Sequence, residues 1–478
     1  MPSTKKSYQK KEVKKMQLFQ DVINYILDLG SAIFVPLIIL LLGLIAGMKF
    51  KKAFMSAITL GIAFTGMSMV IGFMSNAVSP ASEALAKNTG LNLPALDLGW
   101  TGAASITWSW SYAFIFFAVV LGVNFIMLIF NWTKTLNVDM WNVWGKALTA
   151  YLVYFVSGSL LAGFVTAIIQ VILELKMGDM FQRHIEDLTG IPLVTVTHLM
   201  NISAVLLLPI NVIMDKISFF NRRADTKALK KKIGIFSENS VMGFLIGLGL
   251  GLAAAYGVSG SLNLAIQIAT AMALFPMISK MFMQSLSPLA DAMSEMMKKR
   301  FKDREIYIGL DWPILAGRTE IWVAAILLVP VFIGYAIVLP GNAVLPLAGI
   351  INYSIAVGGL LLTGGNLVRM LIMGVISMPI YLYAATYLTP ILTGLADRTG
   401  AVEGIQKGQQ ITWSSIEGPE FRILFAEAFK GNILGIIGSV LFIAMFVWLY
   451  KYMSKVKVPS QRYEEQGTQS TQVRATNG

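Results

Sequence analysis

A few ionisable side chains stand in polar interruptions of an otherwise apolar chain, and these are the groups able to do chemistry. Asp97 lies in Leu96-Asp97-Leu98-Gly99-Trp100-Thr101-Gly102, followed by Ser105-Ile106-Thr107-Trp108-Ser109. A carboxylate accepts hydrogen bonds from hydroxyls and indole faces stack on the CH surface of a sugar, so this combination suits a polyol. The other reading is an extracytoplasmic loop with interfacial tryptophans. Asp311 lies in Gly309-Leu310-Asp311-Trp312-Pro313, ahead of Ala316-Gly317-Arg318-Thr319-Glu320. An N-cap Asp with a following Pro is also ordinary helix-start chemistry, with Arg318 and Glu320 as interfacial charges. His198 and Asn201 share a face at i, i+3 spacing, either as a binding pair or as an interhelical hydrogen bond. Ionisable groups within membrane spans are costly, which makes each a functional candidate.

The tetrapeptide Ile-Thr-Trp-Ser occurs twice, at Ile106–Ser109 and, after Gln410, at Ile411–Ser414. Each copy sits in a Gly- and polar-rich stretch between apolar runs, which suggests a duplicated membrane fold. Paired interrupted segments of that kind mark binding sites in transporters. The candidate substrate-binding set is therefore Asp97, Trp100, Thr107, Trp108, His198, Asn201, Asp311, Glu320, Gln410, Thr412 and Trp413. Either Asp97 or Asp311 would orient a sugar hydroxyl or act as its general base, and the sequence leaves both open.

The elements that must position these residues are membrane helices. The chain has 478 residues, of which 56% are hydrophobic and 13% charged, against roughly 25% charged in soluble chains. This composition predicts an all-α polytopic membrane protein. Runs of about 20 apolar residues cross a bilayer, and candidates fall at 30–47, 53–78, 112–131, 147–173, 240–262, 264–284, 320–339, 343–363, 367–394 and 431–450. The polar-punctuated stretch 190–214 either spans or turns back, giving about ten or eleven transmembrane helices. Segments 92–111, 308–317 and 405–420 are re-entrant hairpin candidates. Residues 1–20 read as a basic polar tail and 458–478 as a disordered tail. Residues 21–457 read as the membrane-embedded domain, with a first repeat over 21–215 and a second over 233–457. The glycines Gly243, Gly247, Gly249 and Gly251 read as helix-packing positions. Asn137-Val138-Asp139-Met140-Trp141-Asn142-Val143-Trp144 reads as an interfacial aromatic belt with loop or docking groups.

Other function classes are excluded. The net charge of +12 does not point to nucleic acid, because Lys and Arg cluster beside apolar runs, as in Lys216–Lys232 and Lys298–Arg304. Two spans separate these segments, so they share a face, cytoplasmic by the positive-inside rule. With no cysteine and two histidines, His184 and His198, disulfides, thiolate metal sites and a His-rich metal site are not expected. Nor is a cofactor. No G-x-x-x-x-G-K-[ST], G-x-S-x-G or H-E-x-x-H is present.

Several strings together carry a resemblance: Tyr25-Ile26-Leu27-Asp28-Leu29-Gly30, Asp97-Leu98-Gly99-Trp100, Asn137 to Trp144, Gly309-Leu310-Asp311 and Leu339-Pro340-Gly341-Asn342-Ala343-Val344-Leu345-Pro346. In this order, from about residue 21 to 452, the chain resembles the galactitol-type enzyme IIC permeases of the sugar phosphotransferase system, in the ascorbate–galactitol superfamily. It departs from them around His198, where the family's proline-histidine-glycine-threonine string is replaced by Val196-Thr197-His198-Leu199, and in its Lys-rich start. The resemblance implies a homodimeric carrier of the bacterial cytoplasmic membrane with inverted repeats and re-entrant hairpins, in which a transport domain moves against a dimer scaffold. It also implies that galactitol or a related polyol is phosphorylated as it is delivered inside. The phosphoryl group would come from a phosphocysteine on a separate IIB protein, charged through IIA, and the absence of cysteine here fits a donor on a partner. The alternative from another class is an ion-coupled secondary transporter using Asp97, Asp311, Glu320 or His198 as a proton or sodium site.

Overall fold

The computed structural model describes residues 31–89, 93–108, 110–113, 115–139, 142–217, 220, 239–301, 305–344, 346, 349, 351–399 and 410–461. The tail 1–20, the Tyr25–Gly30 string, nearly all of the basic segment 216–232 and residues 462–478 lie outside them. Most of the described chain is helical, as the composition predicts.

Four helices form one packed group: α1 (Ser31–Ile45), α2 (Phe50–Thr89), α8 (Asn239–Ala253) and α9 (Gly257–Phe301). Helices α8 and α9 make a tight hairpin. A Cβ on Gly247 would lie 2.6 Å from the Ala265 Cα, and one on Gly251 equally close to the Ser261 Cα. Small residues there let the two backbones approach.

The remaining elements come from both halves of the chain. The first half supplies β1 (Ala95–Asp97), α3 (Gly99–Trp108), α4 (Ile115–Ile129), β2 (Thr135–Asn137), α5 (Val143–Ser157), α6 (Leu160–Thr189), β3 (Val194–Val196) and α7 (Ser203–Asp215). The second supplies β4 (Tyr307–Leu310), α10 (Thr319–Leu327), α11 (Val329–Val338), α12 (Tyr353–Thr363), α13 (Leu367–Thr399), β5 (Gln410–Thr412), α14 (Pro419–Phe429) and α15 (Ile433–Met453). Short 3-10 turns, Leu199–Ile202 and Trp312–Leu315, follow β3 and β4.

Two features go beyond the all-α expectation, which the predominance of helix bears out. First, the polar interruptions at 92–111, 190–214, 308–317 and 405–420 each contain a short strand. With β2, which lies outside those segments, they pair in parallel across the halves: β1 with β5, and β4 between β2 and β3. Gly309 makes the second sheet possible, since a Cβ there would stand 2.6 Å from Thr197 Cγ2 and 3.0 Å from Thr135 Cγ2. Second, the apolar run 147–173 is not one span. Helix α5 ends at Gly158 in the left-handed region (φ 72°), and Ser159 caps α6 by accepting from the Ala162 N–H. The run is therefore a helical hairpin, with a Gly C-cap and a Ser N-cap back to back.

Among the described residues, four helical stretches are long and apolar enough to cross a membrane: Leu160–Thr189, Thr319–Val338, Leu367–Thr399 and Ile433–Met453. Shorter apolar helices accompany them. Helix α15 shows what its environment must be, since Leu434 and Val440 are 72% and 67% exposed. A continuous apolar surface of this kind fits lipid.

The two Ile-Thr-Trp-Ser copies do not share a conformation. Ile106–Trp108 ends helix α3, whereas Ile411 and Thr412 are strand β5 and Ser414 lies in the following turn. Ser109 lies outside the described residues. The Ser460 N–H donates to Asp187 Oδ2 at 2.9 Å, so the start of the C-terminal segment is docked.

Candidate functional site

The sheet β2-β4-β3 determines which side chains meet. All three strands run the same way, so their C-terminal ends lie together. The register pairs Asn137 with Gly309 and Val196 with Leu310. Continued by two residues from Asn137 and by one from Val196, it brings Asp139 and Thr197 level with Asp311. His198 follows one step on. The Val138 N–H donates to the Gly309 carbonyl, and the Thr197 N–H to the Leu310 carbonyl, which holds these ends in place.

His198 is the centre of the group. Its Nδ1 accepts from the Met200 N–H at 3.2 Å, so in the neutral imidazole the proton sits on Nε2. That nitrogen faces two carboxylates, Asp311 Oδ1 at 3.6 Å and Glu417 Oε1 at 3.8 Å. Both distances exceed a good hydrogen bond. A bound hydroxyl that brought these groups together would tighten them, as happens when apo sites fill. Asp311 Oδ1 also accepts from the Trp312 N–H at 2.6 Å, and Asp139 accepts from the Asn142 amide at 2.6 Å.

Glu417 arrives from the second half, in the turn between β5 and α14, with Gly418 at positive φ and Pro419 opening the helix. Arg422, in the first turn of α14, is fully buried, and its Nη2 donates to the Gly145 carbonyl at 3.1 Å. Next to Gly145, Lys146 pairs with Glu174 at 2.5 Å, both side chains 1% exposed. Two buried charges need further hydrogen bonds to offset desolvation. Gln170 supplies one to Glu174 (2.8 Å), and Thr149 in turn donates to Gln170 (2.5 Å). An aromatic wall runs beside this centre, with Trp144 at 6.5 Å from Trp100 and 6.0 Å from Trp413, centroid to centroid.

Of the residues proposed from sequence, His198 and Asp311 meet in this group. Asn201 is nearby on the 3-10 turn, its amide donating to the Val196 carbonyl at 2.9 Å while Oδ1 is buried without a partner. Trp100 and Trp413 belong to the aromatic wall. Asp97 lies elsewhere, at the β1–β5 pairing, and is saturated by protein groups. Its Oδ1 accepts from the Gly99 and Ser414 N–H groups (3.1 and 3.0 Å). Its Oδ2 accepts from the Gly349 N–H (2.8 Å) and the Ser414 hydroxyl (2.5 Å). Thr107 and Thr412 donate to the carbonyls of Ala103 and Ala385. Gln410 is exposed at the start of β5, and Glu320 pairs with Arg318 at 2.8 Å beside Gly365. Trp108 lies on α3, and its side chain is outside the described residues.

The sequence reading missed Asp139, Asn142, Lys146, Glu174, Glu417 and Arg422. The string Asn137 to Trp144 predicts Asp139 and Asn142 as loop or docking groups, and the structure buries both. Lys146 and Glu174 bracket the run 147–173 and so stand far apart in sequence. Folding that run into a hairpin puts them in contact.

A membrane-embedded helical protein with a buried, mixed-charge centre assembled from both halves is the class that fold and site define. The chain belongs to the EIIC-GAT family, the sugar-specific permease component of the phosphotransferase system, whose pattern matches residues 25–404. It is 34% identical over 414 residues to the galactitol-specific EIIC component of Escherichia coli strain K12, covering 84% of this chain and 91% of that one. The same component of Escherichia coli O157:H7 matches equally. A putative permease IIC component of strain K12 is 32% identical over 428 residues, covering 89% and 97%.

Proposed function

We propose that this permease carries galactitol or a closely related polyol across the bacterial cytoplasmic membrane and presents it for phosphorylation by a phosphorylated IIB partner, itself charged by IIA. The observation that carries the reading is the group His198, Asp311 and Glu417, the first two following parallel strands and the third in the turn before α14, in a family of sugar permeases. Carboxylates accept from polyol hydroxyls, and the neutral imidazole donates from Nε2. Asp311 is the general base that takes the proton of the attacking hydroxyl, with His198 and Glu417 fixing that hydroxyl's direction. Asp97 serves as a staple between the halves rather than as the base.

Two repeats support the alternating-access mechanism of such carriers. Strand β2, Asp139 and the hairpin α5–α6 follow one plan, and strand β5, Glu417 and the hairpin α14–α15 follow the same plan. The packing of α1, α2, α8 and α9 on one another suits a scaffold for a homodimer, against which the remaining elements would move as re-entrant hairpins and transport helices.

Membrane vesicles bearing the chain test this directly. With phosphoenolpyruvate and the soluble phosphoryl carriers inside, radiolabelled galactitol should accumulate as its phosphate. Uptake of unmodified galactitol without that supply, abolished by a protonophore, would replace this reading with ion-coupled transport.

A further inference from the structure

We propose that Arg422 receives the phosphoryl group in this site, its guanidinium holding the phosphoryl oxygens during transfer to the polyol. The proposal rests on the phosphotransferase reading above and adds a residue beyond the family match, which ends at residue 404.

Arg422 is 0% exposed, and only its Nη2 is engaged, by the Gly145 carbonyl. Its Nε and Nη1 are buried with no hydrogen-bond partner in the protein. Buried charged donors left unpaired are costly, so the position is built for an acceptor that arrives with a ligand. Glu417, Glu174 and Glu420 are within electrostatic reach of the guanidinium, and none of them hydrogen-bonds it. Lys146, the other cation of the site, is committed to Glu174 at 2.5 Å. Among the described residues of this centre, Arg422 is thus the cation without a carboxylate partner.

The chemistry of the acceptor follows from what the other groups do. As carboxylates, Asp139, Asp311 and Glu417 accept hydrogen bonds, which suits the hydroxyl hydrogens of a neutral polyol. They repel a phosphoryl group, whose oxygens also only accept. A planar guanidinium with two free N–H groups is the complement of such oxygens. Transfer then proceeds with a balanced exchange. The polyol hydroxyl oxygen forms a bond to phosphorus while the S–P bond of the partner's phosphocysteine breaks. Sulfur leaves with the electron pair as a thiolate, and the hydroxyl proton passes to Asp311. Arg422 stays charged throughout and stabilises the equatorial oxygens, the main task of a protein in phosphoryl transfer.

The test uses the full chain in lipid nanodiscs, with binding of radiolabelled galactitol measured without donor and the initial rate of galactitol phosphate formation measured with phosphorylated IIB. Arg422→Gln should bind galactitol within about threefold of wild type yet transfer about 10²–10³-fold more slowly, the usual effect of losing one transition-state donor. Arg422→Lys, which restores the charge, should recover at least about tenfold of that loss. Transfer by Arg422→Gln within about threefold of wild type would overturn the proposal. So would loss of galactitol binding in step with transfer in both variants, which marks a structural or polyol-binding role. A wild-type chain that never yields galactitol phosphate would remove the phosphotransferase reading itself, and this proposal with it.

Discussion

Asp97 and Asp311 are both carboxylates at the end of a short strand, and their surroundings give them different work. Asp97 spends its two oxygens on four donors from Gly99, Gly349 and Ser414. Asp311 has one tight backbone donor and otherwise faces the Asn142 amide and His198, with Asp139 and Glu417 close by. Replacing Asp97 with Asn leaves buried N–H and O–H groups poorly matched, which should cost about 2–4 kcal/mol. That appears as a lower unfolding midpoint in detergent, with galactitol affinity kept in the fraction that folds. Asp311→Asn should act the opposite way. Galactitol still binds, while phosphate ester formation falls by roughly 10²–10⁴-fold as the general base is lost; equal rates for the variant and wild type would remove Asp311 from the chemistry. The sequence favours Asp97, through the repeated tetrapeptide beside it, because saturation of a carboxylate by distant backbone groups leaves no local mark.

Helices were legible in the sequence and strands were not. Apolar runs long enough to span stand out by length, and α13 and α15 lie close to where those runs predict. Strands of three or four residues carry no measurable period, and each gains its partners from the other half of the chain. Gly309 is where this matters most. Gly309→Ala should destabilise the sheet by about 1–3 kcal/mol through overpacking against Thr197 and Thr135, and Thr197→Ser, which removes Cγ2, should recover part of that loss. The α5–α6 hairpin gives a second check at this scale. Lys146→Met leaves Glu174 buried and unpaired, at a cost of about 3–5 kcal/mol. Adding Glu174→Leu should restore much of that stability, as read by thermal unfolding of the single and double variants.

At the scale of the whole molecule, the site belongs to neither half alone. Asp139, Lys146, Glu174 and His198 come from the first, and Asp311, Glu417 and Arg422 from the second. Neither half expressed alone should therefore bind galactitol, while co-expressed halves that recover each other should, as measured by equilibrium binding in nanodiscs. Native mass spectrometry of the lipid-embedded protein should show the mass of two chains, as a homodimer requires. By itself the sequence determined the membrane setting, the absence of cysteine from this chain, and, through its ordered motif strings, the resemblance to a sugar permease family. Those properties follow from composition and short-range order. The tertiary structure alone decided which charges meet: that Asp97 is a staple, that a single apolar run folds back to join Lys146 to Glu174, and that a buried arginine is left with open donors. Electrostatic partnership acts through space over a few ångströms: residues 139 and 311 become neighbours only when parallel strands from distant parts of the chain bring their ends together, and residue 417 joins them from the turn before α14.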